Sequence, residues 1–249
     1  MATGKYKLVA LDLDGTLLLE DKTISEENKA AIQEAQAAGV TVIFSTGRGI
    51  QNVRDYLEEL GLRSPIVTVN GGEVWKEPGV LHQRHTLEVE LIRRLHVLAV
   101  QYDTWFWAYS VGGIYNKEHW LDDSELDAKQ WLKFGYFTEE AESLAAIRKE
   151  LESWGVLEIT NSHPFNLEVN PKGVTKASGV REVCEMLGLE MSQVIAMGDS
   201  LNDESMIREA GLGVAMGNAQ EEVKAFADTV TVTNEEHGVA RIIREYALV

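Results

Sequence analysis

A chain of 249 residues is long enough for one large or two modest domains around a substantial core. Its 40 acidic and 23 basic residues leave a net charge of −17, which repels nucleic acid and anionic membranes, and its single cysteine excludes an intrachain disulfide. No apolar run is long enough to span a bilayer and Met1–Tyr6 is short and polar, so no membrane anchor or signal peptide is expected and the chain reads as cytoplasmic.

The first element is the apolar run Leu8–Leu11, which feeds into Asp12-Leu13-Asp14-Gly15-Thr16-Leu17. Residues two apart on a strand face one side, so Asp12 and Asp14 are expected to point the same way at the strand's end. Burying two carboxylates there is costly unless a cation or a reaction needs them. Mg²⁺ takes oxygen ligands and leaves room for a substrate phosphate. Thr23-Ile24-Ser25 then offers a cap for a helix through Ala31, Ile32 and Ala35 that Gly39 stops. Val40–Phe44 is a second strand, ending in Ser45-Thr46-Gly47-Arg48. Gly49–Leu60 has helical spacing, and Pro65–Val69 is a third strand, ending in Asn70-Gly71-Gly72.

From about Leu81 to Lys172 the strand–helix alternation changes character. Leu87–Val100 and Thr138–Trp154 read as helices. Thr104–Tyr109 and Val111–Tyr115 read as strands joined by a tight turn, with Val156–Ser162 and Asn166–Asn170 as two more. The alternation then resumes. Lys176–Leu187 is a helix stopped by Gly188, and Val194–Met197 is a strand ending in Gly198-Asp199-Ser200-Leu201-Asn202-Asp203. Leu212–Met216 is a further strand, ending in Gly217-Asn218.

Near-continuous apolar runs are strands buried on both faces of a parallel sheet, and in such sheets ligands sit beyond the carboxyl ends of the strands. Five runs here end in small and polar residues. The fold class is therefore α/β: a Rossmann-like parallel sheet formed by residues 1–83 and 172–249, with an α+β domain inserted at 84–171. Placed beside the strand ends, that insertion is expected to cover the site.

The run from Asp12 to Leu17 resembles the first motif of the haloacid dehalogenase superfamily, and Ser45–Arg48 its second. Lys176, in Pro171-Lys172-Gly173-Val174-Thr175-Lys176, resembles the third, and Gly198–Asp203 the fourth. The tail, Val214–Ala219 and Glu236–Ala240, is similar to the Cof-type phosphatase branch with a type IIB cap. The resemblance implies a cytoplasmic Mg²⁺-dependent phosphatase of a small phosphorylated metabolite. Asp12 would be the nucleophile that carries the phosphoryl group, and Asp14 the acid and base that serves the leaving group and the water. Mg²⁺ would be held by Asp12, the carbonyl of Asp14 and Asp199, with Asp203 supporting. The amides of Leu13 and Gly47, the Thr46 hydroxyl, Lys176 and Asn202 would hold phosphoryl oxygens, and Arg48 and Asn70 would reach the leaving group.

Each of these has a plainer reading. Aspartates after strands are commonly turn residues, and Arg48 and Asn70 fit structural roles as well as functional ones. Lys176 could be a solvated helix-start lysine, although the helix dipole disfavours a cation there without an anion. Trp105, Trp107 and Tyr109 share one strand face, which could stack on a flat substrate or pack into a core. The six histidines lack metal-ligand spacing, and Cys184 reads as a small buried hydrophobe. A phosphomutase of the phosphomannomutase type would share the aspartyl-phosphate. A receiver-like phosphate-binding module would need neither the insertion nor the second aspartate. The sequence leaves the substrate and the oligomeric state open.

Overall fold

The structure, a computed structural model, describes residues 4–249, so the first three residues of the Met1–Tyr6 reading lie outside it. Two compact units emerge: Met1–Gln83 with Thr175–Val249, and Arg84–Val174.

The first unit opens with β1 (Leu8–Leu11), α1 (Glu26–Ala37) and β2 (Thr41–Phe44). Ser25 caps α1 by accepting the Asn28 amide, a contact worth about 1 kcal/mol. α2 covers Arg54–Glu59 alone, because the expected helix breaks at Val53 and a 3₁₀ turn occupies Ile50–Asn52. β3 (Ile66–Thr68), β4 (Glu73–Glu77) and β5 (Val80–Arg84) follow as a separate three-stranded sheet. The Pro65–Val69 run is thus not a member of the main parallel sheet. It pairs antiparallel with β4 and meets the β2 end through one bridge, Ser45 to Val67.

The second unit contains α3 (Val89–Gln101), β6 (Trp105–Ser110), β7 (Gly113–Asn116), α4 (Asp123–Leu126), β8 (Trp131–Phe137), α5 (Ala141–Trp154), β9 (Leu157–Thr160) and β10 (Asn166–Pro171). Its sheet runs β7-β6-β8-β10-β9 with antiparallel pairs. Leu95 and Leu98 of α3 and Ile147 and Leu151 of α5 pack on Phe106, Phe134, Tyr136 and Leu167 of the sheet. Trp105, Trp107 and Tyr109 fall on the alternate positions of β6, outside that core, with Trp105 38% exposed. The central strand β8 is absent from the sequence reading, since Lys133 and Gly135 interrupt its apolar residues. Lys133 is buried there because Glu168 accepts its ammonium at 3.1 Å and the Tyr109 ring lies 4.8 Å away.

The chain then completes the first unit with α6 (Lys176–Leu187), β11 (Val194–Gly198), α7 (Glu204–Glu209), β12 (Leu212–Ala215), α8 (Glu221–Phe226), β13 (Thr229–Val230) and α9 (Gly238–Ile242). Its main sheet is parallel, in the order β13-β12-β11-β1-β2. β1 lies between β11 and β2, with Leu8 paired to both Val194 and Thr41. Val9, Leu11, Ile195 and Met197 enter one apolar cluster, while Leu8, Ala10, Val194 and Ala196 enter another. Both faces are covered, which is why these strands carry no polar alternation. Among the described residues no helix is long and apolar enough to cross a membrane.

Candidate active site

The site grows from the carboxyl ends of β1 and β11, which are neighbours in the sheet. β1 ends at Leu11, and the next residue, Asp12, is buried. β11 ends at Gly198, which delivers Asp199 and then a 3₁₀ turn over Leu201–Asp203. Asp12, Asp199 and Asp203 each present a carboxylate oxygen within 4.8 Å of the others.

Lys176 joins two of them from the first turn of α6. Its ammonium is completely buried and donates to Asp12 Oδ1 at 2.6 Å and to Asp203 Oδ1 at 2.6 Å. The Thr175 side chain caps the helix by accepting the Ser178 amide, which fixes where Lys176 begins. Asp203 also accepts the amides of Asp199 and Ser200 on Oδ2 at 3.0 and 3.1 Å, so both its oxygens are engaged. Asp199 accepts the hydroxyls of Thr16 at 3.2 Å and Ser200 at 3.0 Å. Neither hydroxyl stood out in the sequence, although both lie inside the motifs.

The electrostatics follow from crowding anions in a dry place. Burial pushes the Asp12 carboxyl well above the usual range, helped by the charges of Asp203 and Asp199 and opposed by Lys176. Burial, again with Asp203, pushes Asp199 up to about 7. Burial works against the Lys176 ammonium, but the charges of Asp12 and Asp203 outweigh it and hold its pKa above the ordinary lysine value.

Asp14 stands apart from this group. Arg48 grips it twice, Nε to Oδ2 at 2.7 Å and Nη2 to Oδ1 at 2.7 Å, and Lys22 donates to Oδ1 at 2.9 Å. β1 ends at Leu11, so strand parity does not set where these two carboxylates point: Asp12 is bonded to Lys176, and Asp14 to Arg48 and Lys22. Despite partial burial, the bonds from Arg48 and Lys22 bring the Asp14 carboxyl down to about 2.

The remaining predicted residues lie on the neighbouring strand ends. Thr46 is buried, and its Oγ1 accepts the Arg48 amide at 3.2 Å. The Leu13 side chain sits in the core, while its carbonyl accepts the Thr16 and Leu18 amides. Asn70 is held in a left-handed turn, with φ of 57° following a φ of 55° at Val69. For β-branched Val69 that conformation is strained, and such strain persists only where the surroundings impose it. Here the Val69 and Asn70 amides donate to the carbonyls of Arg48 and Thr46, which ties this turn to the loop after β2. Asn70 Oδ1 in turn accepts Asn202 Nδ2 at 3.4 Å. Asn202 Oδ1 is buried with no hydrogen-bond partner among the described residues. The amide of Gly47 lies in the same loop. Asp12, Lys176, Asp203 and Asp199 are thus linked to one another, Thr46, Arg48, Asn70 and Asn202 are linked through the loops after β2 and β3, and Arg48 also pairs with Asp14.

The donor set fits a hard divalent cation. Three carboxylates offer oxygen ligands, and the Lys176 ammonium bonded to two of them leaves the group with excess negative charge. A cation there would neutralise that excess.

Comparison with known proteins shows the family. The sequence matches the haloacid dehalogenase-like hydrolase family over residues 9–132 and 117–243. It is 45% identical over 242 residues to the 5-amino-6-(5-phospho-D-ribitylamino)uracil phosphatase YcsE of Bacillus subtilis, covering 97% of this chain and 96% of that one. A solved haloacid dehalogenase-like hydrolase from B. subtilis superposes with a TM-score of 0.87 at 29% identity, over 96% of this chain and 99% of its own. The subclass IIB sugar phosphatase BT4131 superposes with a TM-score of 0.86 at 25% identity, over 98% of this chain and 100% of its own.

Proposed function

Because this chain belongs to the haloacid dehalogenase-like hydrolases and is a phosphatase of that family, we propose that it hydrolyses a small phosphorylated metabolite through a phosphoryl group carried on Asp12. The single observation that supports this most is the Asp12–Lys176–Asp203 contact, with Lys176 bonded to both carboxylates at 2.6 Å. It presents a buried carboxylate beside a fixed cation and an acidic group fit for a second one.

The chemistry divides into two displacements. Asp12 attacks phosphorus; the bond to the ester oxygen breaks, and the leaving alkoxide takes a proton. Water then attacks the phosphoryl group on Asp12, releasing inorganic phosphate and restoring the carboxylate. Lys176, Thr46 and Asn202 hold phosphoryl oxygens while their charge redistributes. Asp12, Asp199 and the carbonyl of Asp14 would hold Mg²⁺, with Asp203 supporting them, and the ion would supply charge neutralisation for the nucleophile and phosphate. Asp14 is the proton donor and acceptor in this reading. To serve, it exchanges its bonds with Arg48 and Lys22 for the leaving group, since in their grip it is ionised. Arg48, once freed, is the natural ligand of an anionic or carbonyl group on the substrate.

For the substrate, 5-amino-6-(5-phospho-D-ribitylamino)uracil is the first compound to test, given the activity of the relative that is 45% identical. The inserted unit is the part we propose reads the leaving group. Its Trp107 and Tyr109 lie outside the apolar core of their sheet and half-buried on the opposite face, over Gly135 and Lys133. The test is phosphate release from that compound, sugar phosphates, nucleotides and pyridoxal phosphate with Mg²⁺, using Asp12→Asn as the blank. Release that vanishes in the blank supports the reading. Transfer to a sugar acceptor in place of water would establish a mutase, and a stable phosphoprotein without turnover a receiver.

A further inference from the structure

The proposed chemistry leaves unused a small polar relay on the far side of the Asp12 loop. Asn218 follows β12, and its Nδ2 donates to the Gly15 carbonyl at 2.8 Å. Its Oδ1 accepts the Asn234 amide at 3.0 Å. Asn234 in turn donates its own Nδ2 to the Leu18 carbonyl at 2.9 Å. The Asn218 side chain is thus used at both ends in opposite senses, which an amide can do and an aspartate or leucine cannot.

The same stretch of chain also holds the other half of the site. The Met216 amide donates to the Gly198 carbonyl at 3.0 Å, and the Gln220 amide to the Asp199 carbonyl at 2.9 Å. Residues 216–220 therefore bridge the two loops that carry the acidic group. Between those loops the Gly15–Thr16 peptide is fixed at both polar ends: Asn218 takes the Gly15 carbonyl, and the Leu13 carbonyl takes the Thr16 amide at 3.2 Å. Gly15 has φ of +76°, and a Cβ on it would lie 2.5 Å from Asp199 Oδ2. The loop and the carboxylate are in close register, and the Thr16 hydroxyl closes it by donating to Asp199 Oδ1 at 3.2 Å.

We propose that Asn218 is a positioning residue for the cation site: by fixing the Gly15–Thr16 peptide it sets the Thr16–Asp199 hydrogen bond and so the direction in which Asp199 offers its oxygens. The inference rests on the cation reading given above. Partners that orient a ligand without touching the ion commonly change metal affinity by roughly 10- to 100-fold.

The test is direct binding of Mg²⁺ and Mn²⁺ to the purified full chain without substrate, by titration calorimetry. Wild type, Asn218→Leu, Thr16→Val and the double variant form a cycle, repeated with Asn218→Ala so that a folding failure of one variant leaves the comparison standing. Each single change is expected to weaken binding roughly tenfold. The double variant should bind no worse than about the weaker single, because both act through one hydrogen bond. An Asn218 variant that binds within about twofold of wild type overturns the proposal, as do losses that multiply to about a hundredfold. If the wild type binds neither ion, the cation site itself falls and this inference with it. A wild type that binds beside unaffected variants removes Asn218 alone.

Discussion

Arg48 and Asp14 stand 34 residues apart in sequence and meet side on, two nitrogens against two oxygens at 2.7 Å each. The pairing is bidentate, which fixes orientation as well as charge. It holds an acid proposed for proton transfer in its ionised, outward state. Replacing Arg48 by Gln should therefore move the Asp14 titration upward from about 2 toward the ordinary aspartate value near about 3.9. Lysine should restore the low value only in part, because it lacks the fork. Carboxyl carbon NMR across pH 1.5–6 reads this directly in protein that stays folded, and an unmoved midpoint would sink the assignment.

Lys176 is the cation on which two buried carboxylates depend. Lys176→Met keeps the volume and deletes the charge, leaving Asp12 and Asp203 facing each other unpaired. Loss of one partner from a buried ionic cluster costs about 3–5 kcal/mol. Urea unfolding of the metal-free variant should show a loss of that order, with Mg²⁺ recovering part of it. A variant as stable as wild type without metal would mean the cluster is far better solvated than its burial implies.

The acidic group also sets a pH dependence whose sign can be worked out. Burial and the charge of Asp203 bring Asp199 to about 7 in the folded chain, against roughly 3.9 when unfolded. Between those values the folded state binds the extra proton, so stability of the metal-free protein falls as pH rises and levels off above about 7. Asp12 is shifted in the same direction. The midpoint of thermal unfolding without metal should accordingly be higher at pH 5.5 than at pH 7.5. Saturating Mg²⁺ should narrow the gap by stabilising the ionised form. The reverse slope in the metal-free protein would contradict the burial of these carboxylates.

Gly71 holds the Asn70 turn against the start of α6. Its φ is +93°, and a Cβ there would lie 2.1 Å from the Thr175 carbonyl oxygen. Gly79 has a similar φ of +91° with nothing within 4 Å, so it isolates the conformational cost from the collision. Gly79→Ala should cost about 1 kcal/mol, and Gly71→Ala distinctly more. Only Gly71→Ala should also lower turnover, because Thr175 precedes Lys176. Equal costs at the two positions would show that the close approach relaxes without consequence.

What could be read in the sequence depended on how far apart the interacting residues lie. The endings of β1, β2, β11 and β12 were readable because each is local, an apolar run followed by small and polar residues. The clustering of Asp12 with Asp199, Asp203 and Lys176 needed a resemblance, since Lys176 and Asp12 are 164 residues apart. No local pattern tells that Asp14 is bonded to Arg48, or that β3 pairs with a hairpin partner outside the parallel sheet. Strand β8 escaped notice because a lysine in an apolar run argues against burial, and its neutralising Glu168 lies on another strand. Asn218 stood in the sequence only as the end of a strand run; its bonds to Gly15 and Asn234 are visible only in three dimensions.

The place of β1 in its sheet bears on how the protein is made. This strand carries Asp12, and it pairs on one side with β2 and on the other with β11, whose register begins only at Val194. A ribosome finishes the first partner early and the second after more than three-quarters of the chain has been synthesised. Until then one edge of the strand that leads to Asp12 is without its neighbour, and Asp199 has not been made. Long-range pairings of this kind form late, at the cost of closing a large loop. The inserted unit, compact by itself, is complete in sequence before that closure. Nascent chains truncated before residue 194 should therefore hold a folded insertion and no assembled site.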